Sequence, residues 1–148
     1  MNAIILGAGR TGAMLATSLA NAGHKVTVID IDVTNAAPLP HNHVESGVIS
    51  LLEGDGTRDS MMESAGIRDA ILFAALTGND NINGLAALKA KITYRVMTVV
   101  ATVWSGDLTS VFESQGVACV NPARLSADSV IANIPQVLQE QSPSRSGE

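Results

Sequence analysis

The chain has 148 residues, 46% of them apolar and only 16% charged, with a formal net charge of −5 and a pI near 5.0. This length and composition fit one globular domain burying about 70% of its unfolded surface and exclude a disordered chain. The acidic balance, the lack of a basic run and an aromatic content of 3% leave little to neutralise a phosphate backbone or stack its bases, so nucleic acid is not an expected partner.

The first strand is expected at 2–6 (NAIIL), leaving no room before it for a signal peptide. It runs into ILGAGRTGAMLA, where Gly7, Gly9 and Gly12 open a helix over 10–23. Ala13, Ala16 and Ala20 let that helix lie close to a sheet, and Gly23 supplies its stop. A second strand, 25–30 (KVTVID), ends on Asp30. Pro38 and Pro40 forbid a continuous helix within 33–47, which reads as a loop or a broken helix. A third strand at 48–54 precedes a helix over 58–66.

The run AILFAAL (70–76) lacks alternation and reads as a strand buried on both faces. It is the longest apolar stretch and falls far short of the ~20 residues a membrane helix needs, so no membrane insertion is expected. A helix over 79–91 follows with Asp80 as its N-cap, then a fifth strand at 96–103. In the helix over 106–116, Leu108, Val111 and Phe112 have the spacing of a packed face. Cys119, the single cysteine, reads as a small buried hydrophobe in a sixth strand at 117–120. A last helix over 121–134 lines up Ala127, Val130, Ile131 and Ile134. The domain is therefore placed at 1–134, with 135–148, from Pro135 through SPSRSGE, as a helical extension and tail. The fold expected is α/β: a Rossmann-type, doubly wound, mainly parallel six-stranded sheet with helices on both faces.

The glycine motif follows a strand and opens a helix, the context in which it binds a nucleotide diphosphate. Gly7 makes the tight turn, Gly9 lets phosphate approach, and Gly12 lets helix and strand pack; Ala8 and Thr11 lie between them. Arg10 is costly beside the positive end of the helix dipole, by about 0.3–1 kcal/mol, unless an anion sits there. Asp30 stands 18 residues after Gly12, near the ~20 expected of a ribose-binding acid. Ile31 follows it in place of an arginine, which disfavours NADP. Two further stretches fall at the carboxyl ends of strands: Asp55, Gly56 and Thr57 on the adenosine side, and Thr77, Gly78, Asp80 and Asn83 at the fourth strand and its helix.

Together GAGRTGAMLA, GHKVTVIDID, GDGTRDSMMESAGIRDA and TGNDNIN resemble the nucleotide-binding domain of potassium-transport regulators, known as the TrkA N-terminal, KTN or RCK domain, over residues 2–134. The resemblance implies a cytoplasmic domain that binds NAD(H) or ATP/ADP and forms a homodimer or higher even oligomer. It implies that the ligand state passes to a membrane potassium channel or transporter, with the domain at most peripheral at the inner face through that partner. It puts Arg10 near the nucleotide phosphates, Asp30 on the ribose, Asp55 beside the adenosine, and Asp80 with Asn83 as a polar pair at a helix start. Three departures stand out. Thr102 lies in ATV where the family often has Ala-Arg-Val, two prolines fall within 33–47, and no second ligand-binding lobe is expected after 134.

The alternative is a small NAD-dependent oxidoreductase, or a cofactor-binding subunit of one. Such chemistry needs a proton-transfer group beside the nicotinamide. His24 sits at the wrong edge of the sheet, His41 and His43 lack a third metal ligand, and Tyr94 is followed at the fourth position by Thr98 and not lysine. No catalytic or metal-binding residue is therefore assigned. The apolar stripe of the last helix is the expected dimer surface, unless it packs back onto its own sheet.

Overall fold

The computed structural model describes residues 1–36 and 38–134. Its six strands are β1 (Asn2–Leu6), β2 (Lys25–Asp30), β3 (Ile49–Glu53), β4 (Leu72–Ala75), β5 (Thr98–Thr102) and β6 (Ala118–Val120). All pair in parallel, in the order β3-β2-β1-β4-β5-β6. The chain winds outward from β1 to β3, then returns to place β4 on the other side of β1. That reversal opens a crevice at the carboxyl ends of β1 and β4. The register brings Leu6 level with both Ile29 and Ala75, and Asp30 level with Glu53, so these strand ends form one rim.

The strands lack alternation because both faces of the sheet are covered. Ile4, Leu6, Ile29, Phe73 and Ala75 point into a core shared with Met62, Ala86, Ala87 and Phe112. Ile5, Val28, Ile49 and Ala74 point the other way, against Ala13, Ala16 and Ala20. Those alanines belong to α1 (Arg10–Asn21), whose buried face of Gly12, Ala13, Ala16 and Ala20 carries nothing larger than a methyl. The opposite face is closed by α3 (Asp59–Ser64), α4 (Asp80–Leu88) and α5 (Gly106–Ser114). This is the doubly wound Rossmann-type sheet expected from the sequence.

The proline segment is broken as expected: a 3-10 turn over Val33–Ala36, then the short α2 (His41–Glu45) beginning after Pro40. Four expectations need correction. The N-cap of α4 is Asn79, whose side chain accepts from Asn81 N (3.0 Å) and Ile82 N (3.1 Å); Asp80 is already inside the first turn. The same helix gives way at Lys89–Thr93 to a π-helical turn, and the chain leaves through Arg95 at φ 59°. Val111 is exposed and only Phe112 of α5 is fully buried. Cys119 is half-buried; burial, with a smaller contribution from Glu113, pushes its thiol pKa up. The last helix, α6 (Pro122–Ala132), is capped by Asn121 and buries none of its residues among those described. Its apolar stripe therefore does not pack back on the sheet, and Val130 is 63% exposed. The expected extension at 135–148 lies outside the described residues.

Candidate nucleotide site

A cleft of about 830 Å³ opens at the reversal point, over the carboxyl ends of β1, β2 and β4. The glycine motif beside it separates into two positions the protein itself demands and one that it does not. Gly7 has φ 106°, and a Cβ there would sit 2.9 Å from the Leu76 carbonyl oxygen. Its N–H donates to Ile29 O at 2.8 Å, which pins the turn to β2. A Cβ at Gly12 would drive into the carbonyl oxygen of Gly7. Gly9 differs on both counts. Its φ of −62° and ψ of −175° suit any residue, and a Cβ there meets nothing within 4 Å. Gly9 lines the cleft, so what its missing side chain leaves is room for an occupant.

Gly9 is also the N-cap of α1 and brings no side chain to cap it, and the first turn carries no acid. The first backbone bond into this helix runs from Ala13 N to Gly9 O (2.9 Å); among the described residues no acceptor is paired with the N–H groups of Arg10, Thr11 or Gly12. Unpaired N–H groups at the positive end of a helix dipole make an anion seat. Arg10 and Thr11 are exposed at this end, beside the cleft and outside its lining.

Asp30, 8% exposed, stands at the rim of β2. Its Oδ2 accepts from Ala8 N at 2.6 Å, which ties the glycine loop to β2. Its Oδ1 accepts from Asp32 N (2.9 Å) and from Asn35 Nδ2 (3.1 Å). Ile31 lies beside it, exposed, as an apolar stretch of wall. The wall beyond β3 is built from Asp55, Gly56 and Thr57. Thr57 donates to Asp55 Oδ1 through its hydroxyl (2.6 Å) and its N–H (3.0 Å), and these bonds, with Arg58 nearby, hold the Asp55 carboxyl below its ordinary pKa. Gly56 is pressed against Leu6 and Ile29. Lys89 fastens this loop from the π-helical turn after α4, its Nζ donating to Thr57 O (2.8 Å) and Asp59 Oδ1 (3.0 Å).

The β4 side is closed by its own hydrogen bonds. Asn83 is fully buried; its Oδ1 accepts from Thr77 Oγ1 (2.6 Å) and Thr77 N (3.0 Å). Its Nδ2 donates to Thr77 O, Thr102 O and Thr102 Oγ1, at 2.9 to 3.0 Å. The carboxylate of Asp80 accepts from Trp104 N and Ser105 N, fastening the loop after β5. Both side chains are thus engaged within the protein, and Asp80 and Asn83 are both absent from the cleft lining.

Of the sequence-predicted residues, Gly7, Gly9, Asp30, Ile31, Asp55, Gly56, Thr57, Thr77 and Gly78 therefore meet around one cavity, while Ala8, Arg10, Thr11 and Gly12 support or flank it. Sequence reasoning missed Asn35, Asn79, Asn81, Ile82 and Leu85 as lining residues. Ile82 and Leu85 stand three apart on one helix, a spacing that marks a shared face. Asp30 and Asp55 are the ionisable side chains in the lining, and both are acids. Positive charge near the cleft comes from the α1 N-terminus, and from Lys89 and Arg58 at the Asp55–Thr57 loop, where both cations are already engaged by protein acceptors. No cluster of three or more His, Cys, Asp or Glu suited to a metal occurs among the described residues, nor any helix long and apolar enough to cross a membrane.

The family model described as the TrkA-N domain matches residues 3–122. A Trk system potassium uptake protein TrkA homolog from Pyrococcus abyssi is 39% identical over 100 residues, covering 67% of this chain and 42% of the relative. The Trk system potassium uptake protein TrkA of Streptomyces coelicolor is 32% identical over 134 residues, covering 90% and 58%. The chain thus spans roughly two to three fifths of these relatives, whose names are those of potassium-uptake proteins and not of enzymes. Among solved structures, the TrkA-N domain of the inner membrane protein ybaL from Escherichia coli superposes with a TM-score of 0.77 at 17% identity, covering 90% of this chain and 96% of that one. The Kef CTD of Shewanella denitrificans in AMP bound form gives 0.69 at 18% identity, covering 95% and 87%. The GsuK channel bound to NAD gives 0.67 at 17%, covering 84% and 22%.

Proposed function

The chain belongs to the TrkA-N domain family, and from that premise and the cleft we propose that it is a nucleotide-sensing regulatory domain acting on potassium transport. It binds an adenine nucleotide, NAD(H) or ATP/ADP, with the phosphates on the N-terminus of α1 and the adenosine toward Asp30 and Asp55. The observation that carries this reading is the uncapped start of α1 beside Gly9, a glycine that neither backbone strain nor packing requires. The AMP and NAD in the named neighbours share an adenosine monophosphate unit, which supports adenosine as the common element.

The partner is a membrane potassium channel or transporter subunit, met from the cytoplasmic side by a homodimer or higher even oligomer. The exposed stripe of Val130, Ile131 and Ile134 on and just after α6 is the surface proposed for pairing. A ligand moves such an assembly only by binding one of its arrangements better than another. An oxidoreductase reading has less to stand on: the acids in the cleft are engaged by backbone and side-chain donors, and among the described residues no histidine, lysine or tyrosine lines it. A thermal-shift panel of NAD, NADH, ATP, ADP and AMP tests the proposal. A ligand at 100 times its Kd stabilises by ~2.7 kcal/mol, so at least one should raise the midpoint by several degrees. A flat response to all five contradicts the proposal, and steady NADH consumption with a carbonyl substrate would favour the enzyme.

A further inference from the structure

We infer that Asn35 is the second half of a ribose-recognising pair, in which Asp30 accepts one hydroxyl of the adenosine ribose and the Asn35 carboxamide oxygen accepts the other. This rests on the nucleotide reading above. It follows from counting acceptor positions. A carboxylate offers about four, and Asp30 has already filled three: one on Oδ2 with Ala8 N, and two on Oδ1 with Asp32 N and Asn35 Nδ2. One position on Oδ2 remains. The ribose diol brings two donors, and a hydroxyl that gives up water on binding is costly to leave without an acceptor.

Asn35 is placed to supply what Asp30 lacks. Only the NH2 end of an amide can face a carboxylate, so its bond to Asp30 fixes which way the group is turned. The amide oxygen then points away from Asp30; no donor is paired with it among the described residues, and Asn35 lines the same cleft. Its backbone is held as well. Asn35 N donates to Asp32 O (3.1 Å), Thr34 donates to Asp32 Oδ1 through both its N–H and its hydroxyl, and Asp32 N is bonded to Asp30. The 3-10 turn Val33–Ala36 is thus folded back onto the acid it assists. Asp30 and Asn35 act as one unit, one neutral and one charged, and the unit is matched to a free 2′,3′-diol.

The test is equilibrium binding of AMP and NAD to the full chain, followed by the 2′-deoxy and 3′-deoxy analogues of whichever binds, for the wild type and Asn35→Ala. The wild type should bind each deoxy analogue ~10-fold more weakly than the parent, the size of one lost hydrogen bond to a fixed acceptor. Asn35→Ala should bind the parent ~10-fold more weakly, stop discriminating against one deoxy analogue, and keep discriminating against the other through Asp30. Its ligand-free melting midpoint should stay close to that of the wild type, since Asn35 is exposed. Full discrimination against both analogues in Asn35→Ala, with parent affinity unchanged or raised, overturns the inference and leaves the nucleotide reading intact. A wild type that binds neither AMP nor NAD overturns both.

Discussion

Two helix N-termini face the same end of this sheet, and they are finished in opposite ways. α4 is sealed. Asn79 takes the N–H groups of Asn81 and Ile82, Asp80 puts an acid in the first turn, and Asn83 is knotted to Thr77 and Thr102. α1 is open, with a glycine for a cap, no acid in its first turn and an arginine at its first position. A capped terminus with an acid beside it has spent its dipole within the protein, whereas an open one has it to offer an anion. On the function proposed above, the difference assigns the phosphates to α1 and leaves the polar residues at the start of α4 to hold that wall of the cleft in shape.

The comparison breaks most severely at Gly12. Gly12→Ala places a methyl on the Gly7 carbonyl, where only backbone can give way, and should cost ~3 kcal/mol or more of stability in denaturant unfolding. Next is the sealed helix: Asn83→Ala strands buried groups of Thr77 and Thr102 and should cost ~2–3 kcal/mol. The part of Asn83→Ala that remains folded should keep wild-type nucleotide affinity within a few-fold, measured by titration. A loss as large as that from altering the α1 loop would return Asn83 to the role of ligand contact.

On the open side, Arg10→Ala should leave stability unchanged or slightly raised, by about 0.3–1 kcal/mol, because it removes a cation from the positive end of a dipole. It should weaken ATP and ADP more than adenosine in parallel titrations, and equal losses for all three would remove the phosphate role. The smallest expected effect is that of pH at the adenosine-side loop. Asp55 is held below its ordinary pKa chiefly by the Thr57 hydroxyl and N–H. A lowered folded pKa adds stability above the unfolded value of ~3.9, and that stability is lost as pH falls through the folded pKa. Acid unfolding of Asp55→Asn should therefore have a shallower limb below about pH 4 than the wild type.

The fold was readable because its causes are local. Uninterrupted apolar runs such as 70–76 announce strands covered on both faces, and glycines mark where helices begin and end. The open wall of the cleft was readable too, because Gly7, Gly9, Asp30 and Asp55 occupy positions fixed by chain order at strand ends. On the sealed wall Thr77 and Gly78 were readable as lining, but the internal bonding of Asp80 and Asn83 was not. An Asn or Asp at a helix start serves equally as a cap, a buried knot or a ligand contact, and the choice depends on acceptors and donors far along the chain. For Asn83 those lie at Thr77 and Thr102, and for Asp80 at Trp104 and Ser105. Asn35 was hidden for another reason: the prolines remove helical periodicity from its segment, and only the turn that brings its amide back to Asp30 reveals it.

The central claim, that the open start of α1 is kept open for a nucleotide phosphate, turns on Gly9. Titration of NAD and AMP into wild type and Gly9→Ala, alongside their ligand-free unfolding curves, tests it directly. Since a Cβ at that position meets nothing in the protein, Gly9→Ala should stay within about 1 kcal/mol of wild-type stability while losing nucleotide affinity by ~10-fold or more. Wild-type affinity in a stably folded Gly9→Ala would contradict the claim.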